Sequence, residues 1–185
     1  MYAIINNGSV EKYPVDPRYE LTNVSFPENW TGGIIAGIEF VKIVSSEPPT
    51  CRIGWTPKEI SPKFFGFYWK QQWTTEFVGQ NKLKKLIAEK RYEVETGGIK
   101  IDKYVFKTDR DTQTKYSIMA LNNMQVNWKV NEYEFVELNM VEVDKIVRAH
   151  VQKCFDKECE YFDIVDSGID YIEKTDFSLG WPSNN

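Results

Sequence analysis

The stretch HVQKCFDKECEYF, His150 to Phe162, gathers the chain's single histidine, two of its three cysteines and several carboxylates. These residue types ligate zinc or form nucleophile–base pairs when they converge. Their spacing argues against both. Cys154 and Cys159 are five apart, so on a helix they point to different faces, whereas structural zinc sites favour close cysteine pairs within three or four converging ligands. His150 falls beside Val147, Val151 and Cys154 on an apolar helical stripe, where it reads as a hydrogen-bonded packing residue and Cys154 as core. Asp156, Glu158, Glu160 and Asp163 fall mostly on the solvated side. A Ser-His-Asp or Cys-His arrangement would have to be built on His150. No nucleophile elbow, phosphate loop or H-E-x-x-H motif occurs. Trp30–Gly33 (WTGG) and Gly97-Gly98 read as turns, since neither opens a helix with the spacing of a phosphate cradle. The 27 acidic residues contain many carboxylate pairs whose convergence a sequence does not display. The expectation is no catalytic residue, no metal and no cofactor: a protein that is not an enzyme.

A second group of residues carries recognition chemistry instead. FFGFYWKQQW places Phe64, Phe65, Phe67, Tyr68, Trp69 and Trp73 close together, inside a stretch from Cys51 to Val78 that reads as irregular. With Trp30 and Trp55 they form the candidate interface or ligand surface. Aromatic faces serve a core, a subunit contact or a sugar platform equally well. The favoured reading is a strand that contributes to core or interface; the sharper one is a platform for sugar rings.

These side chains must be positioned by the elements around them. Asn7-Gly8 lies between two extended runs and favours a type I′ hairpin pairing Tyr2–Ile5 with Val10–Tyr13. The run Pro14–Gly33 is rich in proline, glycine and asparagine, which reads as loop with one helical turn at Pro17–Leu21. Ile38–Ser46 is a strand. From Asn81 the pattern changes to helix and strand in alternation. Leu83, Leu86, Ile87 and Val94 share a helical stripe that Gly97-Gly98 ends. IKIDKYVFKT is a strand. Thr108 and Asp111 match a capping box for a helix to about Met124, with Tyr116, Met119 and Ala120 inward. VNWKV and YEFVEL form a hairpin around Asn131-Glu132. Asn139 and Glu142 cap a long helix whose Val143, Ile146, Val147, Val151, Cys154, Phe155, Phe162 and Val165 keep the 3.6 period. A strand or helical turn near Ile169–Ile172 precedes the polar ending PSNN. The expected fold is α+β, with a small β-rich, aromatic module over 1–80 and, over 81–185, a short antiparallel sheet with about three helices.

Composition sets outer bounds. At 185 residues, 42% hydrophobic and 27% charged, the chain is globular rather than disordered. A net charge of −4 argues against a nucleic-acid partner, because phosphate binding wants a concentrated basic face. The one dense basic stretch, Lys82–Arg91, reads as the wet side of a helix. The start lacks the charged and apolar regions of a signal peptide, and no apolar run reaches the roughly 18 residues of a spanning helix. An odd cysteine count without a disulfide framework fits a reducing compartment. The sequons at Asn7, Asn23 and Asn29 are read as chance.

With both modules in view, the stretch from about Lys82 to Val165 resembles a bacteriophage family: the domain of unknown function at the C-terminal end of many tail-fibre and tail-fibre-assembly proteins. The similar elements are LIAEKRYEVETGGIKI, TDRDTQTKYSIMA, VNWKVNEYEFVELN and HVQKCFDKE, in that order and spacing. The N-terminal segment is similar to phage proteins with a YP…L…SFP signature, here Tyr13-Pro14, Leu21 and Ser25-Phe26-Pro27. The resemblance implies a non-enzymatic structural part of a phage tail (tail fibre, fibre base or baseplate), made in the host bacterial cytoplasm and located in the virion. Implied partners are other tail or fibre proteins in a symmetric homo-oligomer or multi-copy assembly. It implies packing roles for Trp128-Lys129, Phe135 and His150-Val151-Gln152. Cys51–Val78 belongs to neither signature and is the candidate docking surface. Two alternatives are a fibre-assembly chaperone absent from the finished virion and a module that binds host-surface glycan.

Overall fold

The computed structural model describes residues 1–130 and 132–184. Asn131, in the expected hairpin turn, and the terminal Asn185 lie outside the described residues. The fold is α+β, and the chain divides into two compact units.

Unit 1 comprises Met1–Cys51 and Trp55–Phe77. Asn7 and Gly8, at φ 49° and 75°, turn β1 (Tyr2–Asn6) into β2 (Ser9–Val15). Two successive positive φ angles are the geometry Asn-Gly tolerates best. The Asp16 carboxylate accepts from Arg18 N at 3.0 Å and caps α1 (Pro17–Glu20). Then follow β3 (Gly32–Ile35), β4 (Ile38–Val44), β5 (Trp55–Phe64) and β6 (Trp69–Phe77). The sheet runs β2-β1-β4-β6-β5, with β3 also on β4. β1 takes one edge of β4; β3 takes the first half of the other, and β6 continues that edge in parallel through Ile43 and Val44. Gly32 is required at this crowding: at φ 111°, a Cβ there would stand 2.5 Å from Phe40 O.

Alternation along β1 buries both faces of the sheet. Ala3 and Ile5 join Ile43 on one face, and Ile4 joins Val15 and Phe40 on the other. The two end strands come together, because the Tyr13 hydroxyl of β2 donates to the Glu59 carboxylate of β5. Gln71 Nε2 donates to the same carboxylate at 2.6 Å. The sheet therefore curls on itself, with Ala3, Ile5 and Ile43 inside. Burial and then the Glu59 carboxylate push the Tyr13 phenol above its ordinary pKa. Two expectations are corrected. Cys51–Val78 is not irregular: most of it is the long β5–β6 hairpin. Pro14-Val15 and Gly32-Gly33 belong to strands, not to loop.

Unit 2 comprises Arg52–Gly54 and the chain from Val78 onward. Its elements are α2 (Gln80–Thr96), β7 (Ile99–Ile101), β8 (Tyr104–Phe106), α3 (Arg110–Leu121), β9 (Gln125–Lys129), β10 (Phe135–Asn139), α4 (Met140–Asp166) and α5 (Ile169–Lys174). Two small antiparallel sheets form, β7–β8 and β9–β10. Asn139 caps α4, its side chain accepting from Val141 N at 3.0 Å. At the usual 1.5 Å rise, α4 is roughly 40 Å long, and it packs against both α2 and α3. One core cluster joins Ile99, Phe106, Tyr116, Met140, Val143 and Val147. Leu83 and Ile87 of α2 are fully buried.

Four local expectations change. Ile99–Phe106 is a hairpin rather than one strand, turned at Asp102 with φ 54°. α3 ends at Leu121, short of Met124. Its cap is Asp109, which accepts from Thr112 N at 3.0 Å, while Thr108 is buried and its hydroxyl accepts from Gly98 N at 2.9 Å. Ile146, Phe155 and Phe135 are exposed rather than packed inward; Phe155 lies instead under the Arg91 guanidinium, 4.5 Å from ring centroid to Cζ. Asp109→Ala removes the cap and is expected to cost about 1 kcal/mol, read as a lower urea midpoint with unchanged slope. Asp111→Ala should cost less. Among the described residues, no helix is long and apolar enough to cross a membrane.

Candidate interaction surface

The β5–β6 hairpin of unit 1 ends in a turn held by two backbone bonds. Phe65 N donates to Tyr68 O and Phe67 N to Phe65 O, both at 2.9 Å. Gly66 supplies the positive φ, 78°, that this turn needs. The result pushes large rings outward. Phe64, Phe65 and Tyr68 are about half exposed, and Phe67 is 98% exposed. Phe65 and Tyr68 stack with centroids 6.0 Å apart and planes 19° apart. Lys63 Nζ stands 6.0 Å from the Phe65 centroid. Phe64 leans on Trp69 at 5.4 Å, and Trp69 packs against the Ala3, Ile5 and Ile43 core. The tip is thus an exposed apolar cluster on an anchored base.

The other three candidates do not join it. Trp73 is half-buried and its Nε1 donates to Ser46 O at 3.1 Å. Trp55 pairs with Phe77, centroids 5.8 Å apart, at the opposite end of the hairpin. That end is roughly 26 Å from the tip at ~3.3 Å per residue. Trp30 sits among Tyr2, Phe26 and Phe40, on the face of the sheet opposite to Trp69. The structure therefore reduces an eight-residue surface to Phe64, Phe65, Phe67 and Tyr68, with Trp69 as their support.

In unit 2, of the histidine, cysteines and carboxylates between His150 and Phe162, only His150 and Cys154 are interior packing. His150 is buried; its Nε2 lies 3.3 Å from Val94 O and 3.7 Å from Cys154 Sγ. Burial first, and then the Glu95 carboxylate, push the Cys154 thiol up to about 11. A nucleophile needs the thiolate, so at neutral pH Cys154 fills space. Cys159 is exposed. Among the described residues, no group of three or more His, Cys, Asp or Glu could hold a metal ion.

Sequence reasoning missed the polar centre next to these residues. Glu95 is 1% exposed. It pairs with Arg91 one turn away and with Arg110 Nε at 3.2 Å. Arg91 Nε in turn reaches Glu158 at 3.2 Å. The signal was available. Leu83, Ile87, Arg91 and Glu95 recur every four residues, so the buried stripe continues into a charged pair.

Buried titratable groups make an alkaline prediction. Burial, with the Asp109 carboxylate adding, pushes the Tyr116 phenol up to about 12. The ordinary values of Cys154 and Tyr116 are 9.0 and 10.0. Both folded pKa values are raised, so their stabilisation is present below pH ~9 and is lost as pH rises toward ~12. The unfolding free energy should be flat up to pH ~9 and then fall, by about 2–3 kcal/mol per group at most. A Cys154→Ala, Tyr116→Phe variant should fall less steeply when followed by circular dichroism.

No curated protein and no solved structure matches the chain. Residues 80–178, running from the start of α2 past α5, match a family model described as "Domain of unknown function (DUF4376)". The match covers more than half of the chain, which therefore belongs to the DUF4376 family.

Proposed function

We propose that the protein is a non-enzymatic structural component of a bacteriophage tail, and that it works by docking onto neighbouring tail proteins. The observation that carries the docking part is the anchored aromatic tip at Phe64–Tyr68. Exposed apolar clusters of this kind mark interaction sites, and interface cores are rich in aromatic rings. Covering a large apolar side chain contributes about 1.5–3 kcal/mol, so four half-covered or bare rings support a lasting contact. The tail assignment rests on the resemblance of the elements between Lys82 and Val165 and of the Tyr13–Pro27 signature.

Mass spectrometry of purified particles tests it. The expected result is this protein at fixed stoichiometry in the virion. Abundance in infected cells with absence from particles would replace the reading with that of an assembly chaperone. The stacked, exposed faces of Phe65 and Tyr68 also suit a sugar ring. Binding of the isolated protein on a glycan array, lost in Phe65→Ser, Tyr68→Ser, would favour a receptor-binding module instead.

A further inference from the structure

Unit 2 carries a groove of its own. The N-terminal half of α4, strand β7 and the C-terminal Pro182-Ser183, held beside β7 by the Lys100 N to Asn184 O bond at 2.8 Å, border an open groove of about 700 Å³. Its floor is apolar, from Ile99 and Ile146. Its rim is basic: Lys145 and Lys153 stand two helical turns apart on α4, and Lys100 projects from β7. Ala149, midway between the two α4 lysines, leaves the space between them open. All three lysines are exposed. None lies within ion-pair distance of a carboxylate among the described residues, whereas Lys157, further along α4, is paired with Glu160. Glu142 is the one acidic residue of the groove. Ile146 accounts for its own exposure: it departs from the core stripe of α4 because it floors this groove.

A basic rim over an apolar floor, on a chain of net charge −4, selects for an anionic ligand that also has apolar side chains. Lys145 and Lys153 are separated by roughly 12 Å along the helix at 1.5 Å per residue. That span matches carboxylates about four residues apart in an extended peptide at ~3.3 Å per residue. We propose that this groove binds an acidic polypeptide segment of a partner protein, with glutamate or aspartate on the lysine rim and an aliphatic side chain between them on Ile99 and Ile146. Small inorganic anions would use the rim and leave the floor empty. Charge complementarity of this kind gives specificity and fast association.

Fluorescence anisotropy on the full chain tests this with three probes at low ionic strength. They are short labelled peptides of repeated Glu-Glu-Leu, of Glu alone, and of Lys-Lys-Leu. The Glu-Glu-Leu peptide should bind, at least about fivefold tighter than Glu alone, and Lys-Lys-Leu should not bind. Lys100→Glu, Lys145→Glu, Lys153→Glu should weaken the Glu-Glu-Leu peptide by at least about tenfold, since three rim charges reverse together. Lys42→Glu, Lys115→Glu, on β4 and α3, should leave it unchanged. Both are exposed positions, and circular dichroism verifies folding of each variant. Equal binding by the rim variant overturns the proposal, as does absence of binding. Competition by inorganic phosphate or a single-stranded oligonucleotide at concentrations similar to the peptide's also overturns it, by showing a general anion site.

Discussion

Glu95→Ala should destabilise the protein by about 3–5 kcal/mol, the usual cost of removing one partner from a buried ion pair. Glu95 is almost wholly enclosed, with Arg91 and Arg110 both on its carboxylate. Its loss leaves the Arg91 guanidinium, itself only 13% exposed, with Glu158 alone. The measurement is a urea unfolding curve, in which the midpoint should drop while the slope stays constant. Two variants separate charge from packing. Glu95→Gln keeps the volume and part of the hydrogen bonding and should fall between wild type and alanine. Arg91→Met, Glu95→Leu removes both charges for apolar side chains of similar size and should recover most of the loss, because a buried pair often does no better than a good apolar fit. A loss below ~1 kcal/mol in Glu95→Ala would show that solvent reaches and compensates Arg91.

On the proposed tail role, Phe65→Ser, Phe67→Ser, Tyr68→Ser should abolish incorporation into particles while leaving the fold intact. The three rings are exposed at the hairpin tip, so their truncation costs little in the isolated chain, within about 1 kcal/mol. At a contact the same rings would be hot-spot residues, each worth about 2 kcal/mol or more when covered. Complementation of a gene-deleted phage, scored by particle composition and infectivity, reads the effect. Trp69→Ala is the contrast: it removes a ring that packs on Ala3, Ile5 and Ile43 and should cost about 2–4 kcal/mol in stability. Normal incorporation of the triple variant would remove the tip as the docking surface.

The parts of this fold that were legible in the sequence are those fixed by local chemistry. Asn7-Gly8 requires two positive φ angles and makes its hairpin. Leu83 and Ile87, or Val143 and Val147, recur at helical spacing and are buried. Asn139 announces α4. The failures share one cause, which is dependence on distant partners. β5 carries Pro57 and Pro62 and little alternation of apolar and polar residues, so it does not read as a strand; its long pairing with β6 makes it one. Asp102 hides a tight turn inside IKIDKYVFKT, because Asp at positive φ carries no Gly or Pro marker. The eight aromatic residues looked alike in sequence. Only the register of β6 on β5 and on β4 decides that Trp69 is an anchor, Trp55 lies at the far end, and Phe67 is bare.

The meeting of β2 with β5 has a consequence for behaviour in a crowded cell. An open sheet ends in rows of unpaired peptide groups that template the addition of further strands, the first step toward fibres. Here those two borders face each other across the Tyr13–Glu59 bond, and each carries imino acids, Pro14 on one and Pro57 with Pro62 on the other, that offer no hydrogen to an incoming backbone. Those two borders are thereby withheld from edge-to-edge growth when copies accumulate to high concentration.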